Sequence, residues 1–149
     1  MSSIFLPEYK PTTKTIDGRK YIYDIVRKRY FVLTPEEMVR QSFINYLVEH
    51  LGYPKSLISV EREVKMGRKS NRSDIHILTN SGDCFMLIEC KSFKVKMNQD
   101  VFDQAAKYSS TLKAKYMVVT NGITTLCCSL DHEKKDVAFQ DSLPEYPKS

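Results

Sequence analysis

The apolar residues after position 38 recur every three or four residues, which is the spacing of one buried helix face. Thr34 can cap such a helix, Pro35 suits its first turn, and Glu37 stands where a capping-box partner belongs. Gly52 is expected to end it, because glycine readily adopts the left-handed conformation found after a helix. The pattern therefore predicts a first helix, whose apolar face consists of Val39, Phe43, Tyr46, Leu47 and Leu51.

Shorter apolar runs on either side of this helix are typical of strands. Two aromatic-rich runs between Tyr21 and Leu33 predict a small hairpin or an extended segment packed on the domain. Asp17 and Gly18 predict a turn just before them. Residues 58–64 alternate between apolar and polar side chains, as a half-exposed strand does.

The clearest strand pattern lies between Asp74 and Lys91. An apolar run over residues 75–78 is followed by a polar turn at residues 80–83, and a second apolar run over residues 84–88 ends in Glu89-Cys90-Lys91. Two apolar runs across a tight polar turn predict a β-hairpin. If the hairpin pairs symmetrically, Asp74 lies near Glu89, and Lys91 is on the same face as Glu89 because strand side chains alternate.

Two carboxylates and a lysine would then meet at one end of a sheet. Such a set suits Mg²⁺- or Mn²⁺-assisted hydrolysis of a phosphodiester bond, because oxygen ligands hold the ion and an ammonium group stabilises negative charge. The predicted metal ligands are Asp74, Glu89 and the backbone carbonyl of Cys90. The alternative interpretation is a salt-bridged strand end on the protein surface.

A second helix and two more strands follow the hairpin. Asn98 can cap a helix with Val101, Ala105, Tyr108 and Leu112 on one face. Residues 115–120 predict a buried strand, Asn121-Gly122 a turn, and residues 124–130 a last strand. The order is helix, three-strand meander, helix, strand, strand. It predicts an α/β fold with one sheet between layers of helices.

Length and composition predict one domain without a membrane span. The 149 residues can build one hydrophobic core, and no apolar run approaches the ~20 residues of a membrane helix. We expect an extended arm over residues 1–19, the domain over 20–130 and a charged, loosely ordered tail over 131–149. The four cysteines have neither zinc-site nor disulfide spacing, so we expect small buried residues in a reducing cytoplasm, and no signal peptide is evident.

Basic residues surround the predicted carboxylates in the sequence. The net charge is +5, which favours polyanionic partners only mildly. Contacts to phosphates of a nucleic acid are one interpretation, and an ordinary solvated loop is the other. The candidate nucleic-acid contacts are Lys65, Arg68, Lys69, Arg72, Lys94 and Lys96.

Taken together, these elements resemble the restriction-endonuclease-like core of the PD-(D/E)XK nuclease superfamily. Within it, the chain is similar to the N-terminal nuclease domain of type I restriction enzyme R subunits. The matching segments are residues 33–41, 51–54, 60–61, 72–75, 87–91, 102–108 and 119–122. The chain departs from the family in two ways: it has no phosphate-binding loop of an ATP-dependent motor, and Arg72-Ser73-Asp74 lacks the proline of the superfamily name.

The resemblance implies roles for named residues. Asp74 and Glu89 would bind the metal, and Lys91 would position water or stabilise the developing charge. Gln104 would lie beside the site, and Glu37 would join the outer shell of the metal. Gln41, one helical turn after Glu37, would share that face, and the sequence does not decide between them. His76 faces the same side as Asp74, where we expect a hydrogen-bonded strand histidine rather than a ligand.

The sequence and the resemblance together predict a Mg²⁺-dependent endonuclease acting on DNA, with other restriction-modification subunits as further partners. The alternative is a non-catalytic nucleic-acid-binding or partner-binding subunit of a restriction or DNA-processing system. The presence of all three groups, Asp74, Glu89 and Lys91, favours the enzyme. The lack of a motor or recognition domain favours the alternative. A homodimer would suit cleavage of two strands, although no exposed apolar stripe demands one.

Overall fold

The computed structural model describes residues 3–60, 64–66, 69–71 and 74–147, and for residues 64–66, 69–71 and 74 it describes the backbone alone. The fold is mixed α/β. Within the described residues, two α-helices, α1 and α2, pack on a six-stranded sheet, and a three-stranded sheet and a two-stranded ribbon complete the fold. No described helix is both long and apolar enough to cross a membrane.

The N-terminal sheet consists of β1 (Thr13–Ile16), β2 (Arg19–Asp24) and β3 (Arg29–Val32). Asp17 and Gly18 join β1 to β2 with φ angles of 50° and 78°, which is the left-handed geometry of a tight hairpin turn. The predicted turn is confirmed, and the aromatic runs form the β2–β3 hairpin. Whereas we expected an extended arm up to residue 19, the structure has β1 there. Its residues are all exposed, so no apolar pattern marked it.

The first helix, α1 (Pro35–Asn45), begins as predicted. The hydroxyl of Thr34 accepts a hydrogen bond from the amide of Glu37 at 3.0 Å, and Pro35 occupies the first turn. The helix continues as a π-helical turn over Tyr46–His50, and Gly52 follows with a φ angle of +71°. The left-handed glycine therefore lies where the sequence predicted the helix to end.

In the part of the chain that the structure describes, eight more strands follow α1. They are β4 (Ile58–Val60), β5 (Val64–Met66), β6 (Lys69–Asn71), β7 (Asp74–Leu78), β8 (Cys84–Cys90), β9 (Tyr116–Thr120), β10 (Thr125–Asp131) and β11 (Asp136–Gln140). The ribbon β5–β6 is inserted in the sequence between β4 and β7.

The other six described strands form the central sheet, in the order β11-β10-β9-β8-β7-β4. Between β8 and β9 the chain crosses over through α2 (Gln99–Leu112). This connection makes β8 and β9 parallel, while the other neighbours are antiparallel.

The two helices cover opposite faces of this sheet. On one face Phe43, Ile44 and Leu47 of α1 pack with buried strand residues such as Ile75 and Ile88. On the other face α2 contributes Ala105 to a cluster with Met117, Val119 and Cys128. Asn98 caps α2, accepting a hydrogen bond from the Val101 amide at 3.1 Å. The predicted layered α/β architecture is confirmed, and all four cysteines are free thiols.

The C-terminal residues pack on the domain. β11 pairs with β10, and the Leu143 side chain is buried. The Tyr53 hydroxyl donates a hydrogen bond to the Pro144 carbonyl, and the Tyr146 hydroxyl donates one to the Leu78 carbonyl at 2.8 Å. This differs from the expected loosely ordered tail. Most of the tail residues are polar, but Leu143 and Tyr146 bury apolar surface against the ends of the strands.

Candidate active site

Glu89 lies in the middle of the central sheet, at the carboxyl end of β8. The residue is only 3% exposed, although its neighbours in the strand are mainly apolar. In the β7–β8 pairing, Asp74 lies directly opposite Glu89, and in the parallel β8–β9 pairing Glu89 aligns with Val119. The predicted register is confirmed: the hairpin brings the backbones of the two acidic residues together at one end of the sheet.

Lys91 follows at the end of β8 and remains fixed to the sheet. Its amide donates a hydrogen bond to the Thr120 carbonyl at 2.8 Å. Its Nζ is 3.9 Å from Glu89 Oε1, and the lysine side chain is 25% exposed. Cys90, between them, is buried in the core cluster that includes α1. The ammonium group therefore lies beside a buried carboxylate and still reaches solvent.

The donors at this strand end suit a hard cation. Glu89 supplies a buried carboxylate, Asp74 is aligned with it in the backbone register, and Cys90 brings a backbone carbonyl between the two charged residues. An all-oxygen set fits Mg²⁺ or Mn²⁺ better than zinc, which prefers cysteine and histidine. Within the described part of the chain, no group of three or more His, Cys, Asp or Glu residues could hold an ion. The Asp74 side chain lies outside that part.

Gln104 is exposed on α2, and the helix direction brings it level with the acidic pair. One contact relates positions on α2 to positions on β7: the ring centroids of His76 on β7 and Tyr108 on α2 are 6.0 Å apart. The crossover makes α2 parallel to β7. Gln104 precedes Tyr108 by four helical residues, which span ~6 Å along the helix axis. Asp74 precedes His76 by two strand residues, which span ~6.6 Å. Because the two distances are similar, Gln104 lies at about the same height along the sheet as Asp74.

Glu37 and Gln41 form a buried polar network at the start of α1. Glu37 Oε2 accepts hydrogen bonds from Arg27 Nη2 at 3.0 Å and from Gln41 Nε2 at 2.8 Å, and its Oε1 accepts one from Arg40. Gln41 Nε2 also donates to Asp24 Oδ2 at 2.9 Å. The described contacts of both candidate first-helix residues therefore lead to β2, to its hairpin turn and to α1 itself, not to Glu89.

Asp24, the fully buried member of this network, was missed by the sequence analysis. Burial alone would raise the pKa of Asp24, but hydrogen bonds from the Arg27 amide and side chain and from Gln41 outweigh it, so the pKa is lowered. The Tyr9 hydroxyl has a raised pKa because of burial and the nearby Asp24 and Glu37 carboxylates. The one signal available was an aspartate closing an aromatic strand three residues before an arginine.

Residues 35–144 match the family model described as type I restriction enzyme R protein N terminus. The chain belongs to this family. The match spans α1, the central sheet and α2, so it includes Glu89, Lys91 and Gln104, whereas Asp24 and Arg27 precede it. No curated protein and no solved structure gives a significant match to the chain.

The surroundings of His76 differ from those expected from the sequence. We expected a hydrogen-bonded strand histidine, but Nε2 is buried and has no hydrogen-bond partner among the described residues. Burial lowers the pKa of His76, because the charged imidazolium would lose its hydration. Its aromatic neighbour is Tyr108. The neutral ring therefore packs between the sheet and α2, one strand repeat from Asp74.

The described candidate phosphate contacts fall on two segments of the chain. Lys94 and Lys96 are exposed in the loop after β8, which begins at Lys91. Lys65 and Lys69 lie on the β5–β6 ribbon, which leaves the sheet where β4 ends and β7 begins, at the Asp74 end. The two remaining candidates, Arg68 and Arg72, lie outside the described residues.

Proposed function

We propose that this protein is a metal-dependent nuclease of the PD-(D/E)XK superfamily, with the restriction-endonuclease-like arrangement of that superfamily, and that it hydrolyses phosphodiester bonds in DNA. One observation supports this above the others. Asp74 and Glu89 lie opposite each other at a strand end, and Lys91 Nζ is 3.9 Å from the Glu89 carboxylate, in a chain of the R protein N-terminus family.

Each residue has a distinct role in this proposal. Asp74, Glu89 and the Cys90 carbonyl would hold Mg²⁺ or Mn²⁺. When bound, such an ion polarises phosphate oxygens and lowers the pKa of a bound water. Lys91 places a positive charge beside the reacting phosphate and stabilises the negative charge that develops as water attacks. The Gln104 amide, level with the acidic pair, would orient the substrate or water.

The position of Lys91 explains why this lysine and not another would act. The sheet fixes its backbone through Thr120, and the buried Glu89 carboxylate holds its ammonium group on the face of the sheet that α2 covers. A charge fixed before substrate arrives needs no costly reorganisation during the reaction. The other candidate lysines on the loop, Lys94 and Lys96, are exposed and suit contacts to flanking phosphates.

The proposed setting is a restriction system. The family description names the R protein of a type I restriction enzyme. We therefore propose DNA as the partner and other subunits of such a system as further partners. The free thiols suit a reducing cytoplasm, which is the location we propose.

The proposal is tested by nicking of supercoiled plasmid with Mg²⁺ or Mn²⁺. Glu89→Ala should lower the nicking rate by ~10²-fold or more, the usual scale for loss of one stabilising group in a transition state. Glu133→Ala is the matched control, because Glu133-Lys134-Lys135 repeats the Glu-x-Lys pattern in an exposed turn. Equal rates for Glu89→Ala and wild type, or cleavage that persists in excess EDTA, would contradict the proposed mechanism.

A non-catalytic binding subunit is the second candidate. The observation that favours it is the burial of Glu89 beside Lys91, which an ion pair with a purely structural role would also show. This candidate predicts that purified protein binds DNA or a partner subunit without nicking plasmid in any divalent metal. It also predicts that Glu89→Ala lowers the melting temperature, whereas the nuclease proposal predicts little change.

A further inference from the structure

Two apolar side chains are displayed at the end of the sheet that carries Glu89 and Lys91. Phe93 is 51% exposed in the loop after β8, and Ile123 is 72% exposed in the turn after β9. Because β8 and β9 are parallel, both connections leave the same end of the sheet. Single exposed apolar residues are ordinary. Two of them at the sheet end that carries the candidate active site form a candidate contact surface for a ligand.

Hydrogen bonds hold these two tips in place. The Val95 amide donates to the Ser92 carbonyl at 2.9 Å, which closes a turn with Phe93 and Lys94 at its corner. The buried side chain of Asn121 donates to the Val95 carbonyl at 2.8 Å and accepts from the Ile123 amide at 2.9 Å. One asparagine therefore ties both tips together, so the apolar groups are held out into solvent by ordered backbone.

The charge around Phe93 identifies the kind of ligand. The segment 91–98 contains Lys91, Lys94 and Lys96 and no acidic residue, and Lys94 Nζ lies 6.0 Å from the Phe93 ring centroid. An aromatic ring among lysines is complementary to a nucleic-acid strand, whose bases stack on the ring while its phosphates contact the ammonium groups. An apolar protein partner or a neutral lipid would gain nothing from the two exposed lysines beside the ring, Lys94 and Lys96.

We infer that Phe93 is a stacking platform for an unpaired base next to the scissile phosphate, so that the substrate class is DNA with a single-stranded segment at the cleavage position. This inference rests on the proposed nuclease function. Phe93 follows Lys91 by two residues, which span at most ~7 Å of extended chain, about two base steps. Bases inside a duplex are covered on both faces by their neighbours, whereas an unpaired base has a face open to the ring.

The chain contains no tryptophan, which permits a direct test. Phe93→Trp places one fluorophore at the proposed platform, and Phe139→Trp places one on the exposed edge strand β11, where Phe139 is 44% exposed. Each variant is titrated with an oligothymidylate strand and with an abasic strand of equal length, in EDTA so that no cleavage occurs. The inference expects the oligothymidylate strand to quench the indole fluorescence of Phe93→Trp and the abasic strand to leave it unchanged. The fluorescence of the control variant, Phe139→Trp, should respond to neither strand.

Affinity gives a second measurement. Phe93→Ala should weaken binding of the oligothymidylate strand roughly five-fold or more, the lower end expected for loss of one base–aromatic stack, and should not change binding of the abasic strand. Phe93 is half-exposed, so its removal leaves no cavity in the core. Equal quenching of the Phe93→Trp variant by both strands, or equal affinity of wild type and Phe93→Ala for the oligothymidylate strand, would overturn the inference.

The two proposals fail in different ways. Plasmid nicking that depends on Glu89, together with unchanged oligonucleotide binding by Phe93→Ala, would overturn the stacking platform and leave the nuclease proposal standing. Base-dependent quenching of the Phe93→Trp variant, without nicking by the wild type in Mg²⁺ or Mn²⁺, would overturn the nuclease and support base stacking at position 93.

Discussion

Two groups of charged side chains in this protein differ in how closely their described ion pairs are held. At the start of α1, the Glu37 carboxylate is surrounded by Arg27, Arg40 and Gln41 at hydrogen-bonding distance. At the end of β8, the contact between Lys91 and Glu89 is 3.9 Å long, beyond a normal hydrogen bond, and the lysine reaches solvent. The first arrangement joins structural elements, whereas the second leaves an ammonium group in contact with solvent.

The comparison implies that mutations at the two groups should have different consequences. A change in the α1 network should reduce the free energy of unfolding, because it removes a carboxylate that compensates buried arginines. A change at the end of β8 should reduce the proposed catalysis with less effect on folding, because Lys91 keeps contact with solvent. The predictions below test this distinction, from the largest expected effect to the smallest.

Lys91→Ala should reduce plasmid nicking by ~10²-fold or more, because the substitution removes the charge proposed to stabilise the transition state. Its melting temperature and helical content should stay close to those of wild type. The control is Lys134→Ala, an exposed lysine in the β10–β11 turn. Nicking within a few-fold of wild type would remove Lys91 from the mechanism.

Glu37→Gln should lower the free energy of unfolding by about 2–3 kcal/mol, because two arginines each lose one of the carboxylates that compensate them. Glu36→Gln is the control: Glu36 is more exposed and its contact to Arg40 is 3.4 Å, so about 0.5 kcal/mol is expected. Chemical denaturation measures both. A Glu37→Gln protein of normal stability that has lost nicking would instead place Glu37 in the outer shell of the metal.

Affinity for duplex DNA should fall steeply with salt if the basic residues contact phosphates. Four such contacts give a slope of about −3 to −4 for log K against log[salt], measured by fluorescence anisotropy. Lys94→Ala should reduce that slope by about 1. A slope near zero between low and physiological salt would favour a protein partner over DNA.

The smallest expected effect concerns His76 and pH. Its pKa in the folded protein lies below the unfolded value of 6.5, so the unfolded chain binds the proton more readily. The contribution of His76 to stability is therefore complete above pH 6.5 and falls as the pH drops through that value towards the folded pKa. His76→Leu should flatten the stability profile between pH 7 and pH 5. Equal profiles for His76→Leu and wild type would contradict the prediction.

Much of the fold could be predicted because local patterns specified it. The two helix caps at Thr34 and Asn98 and the register of the β7–β8 hairpin follow from nearby residues. A shift of one residue in that register would put the apolar side chains of one strand on the wrong face of the sheet. The alignment of Asp74 with Glu89 is therefore a consequence of burying Ile75 and Ile88.

Features that depend on distant partners could not be predicted. β1 and β11 consist mostly of exposed residues, so only their pairing partners make them strands. The bond between Gln41 and Asp24 joins residues that are 17 positions apart, and each has an ordinary alternative role on the surface. The sequence could name Glu37 and Gln41 as a shared helix face, but it could not indicate that arginines would surround them.

The parallel pairing of β8 with β9 would link the proposed chemistry to the completion of folding. Glu89 and Lys91 precede the crossover, whereas Thr120, which anchors the Lys91 amide, follows it. A growing or truncated chain that ends within α2 contains both carboxylates and the lysine but has no strand to hold Lys91. Nuclease competence would then arise late, once α2 has crossed the sheet and β9 has closed beside β8.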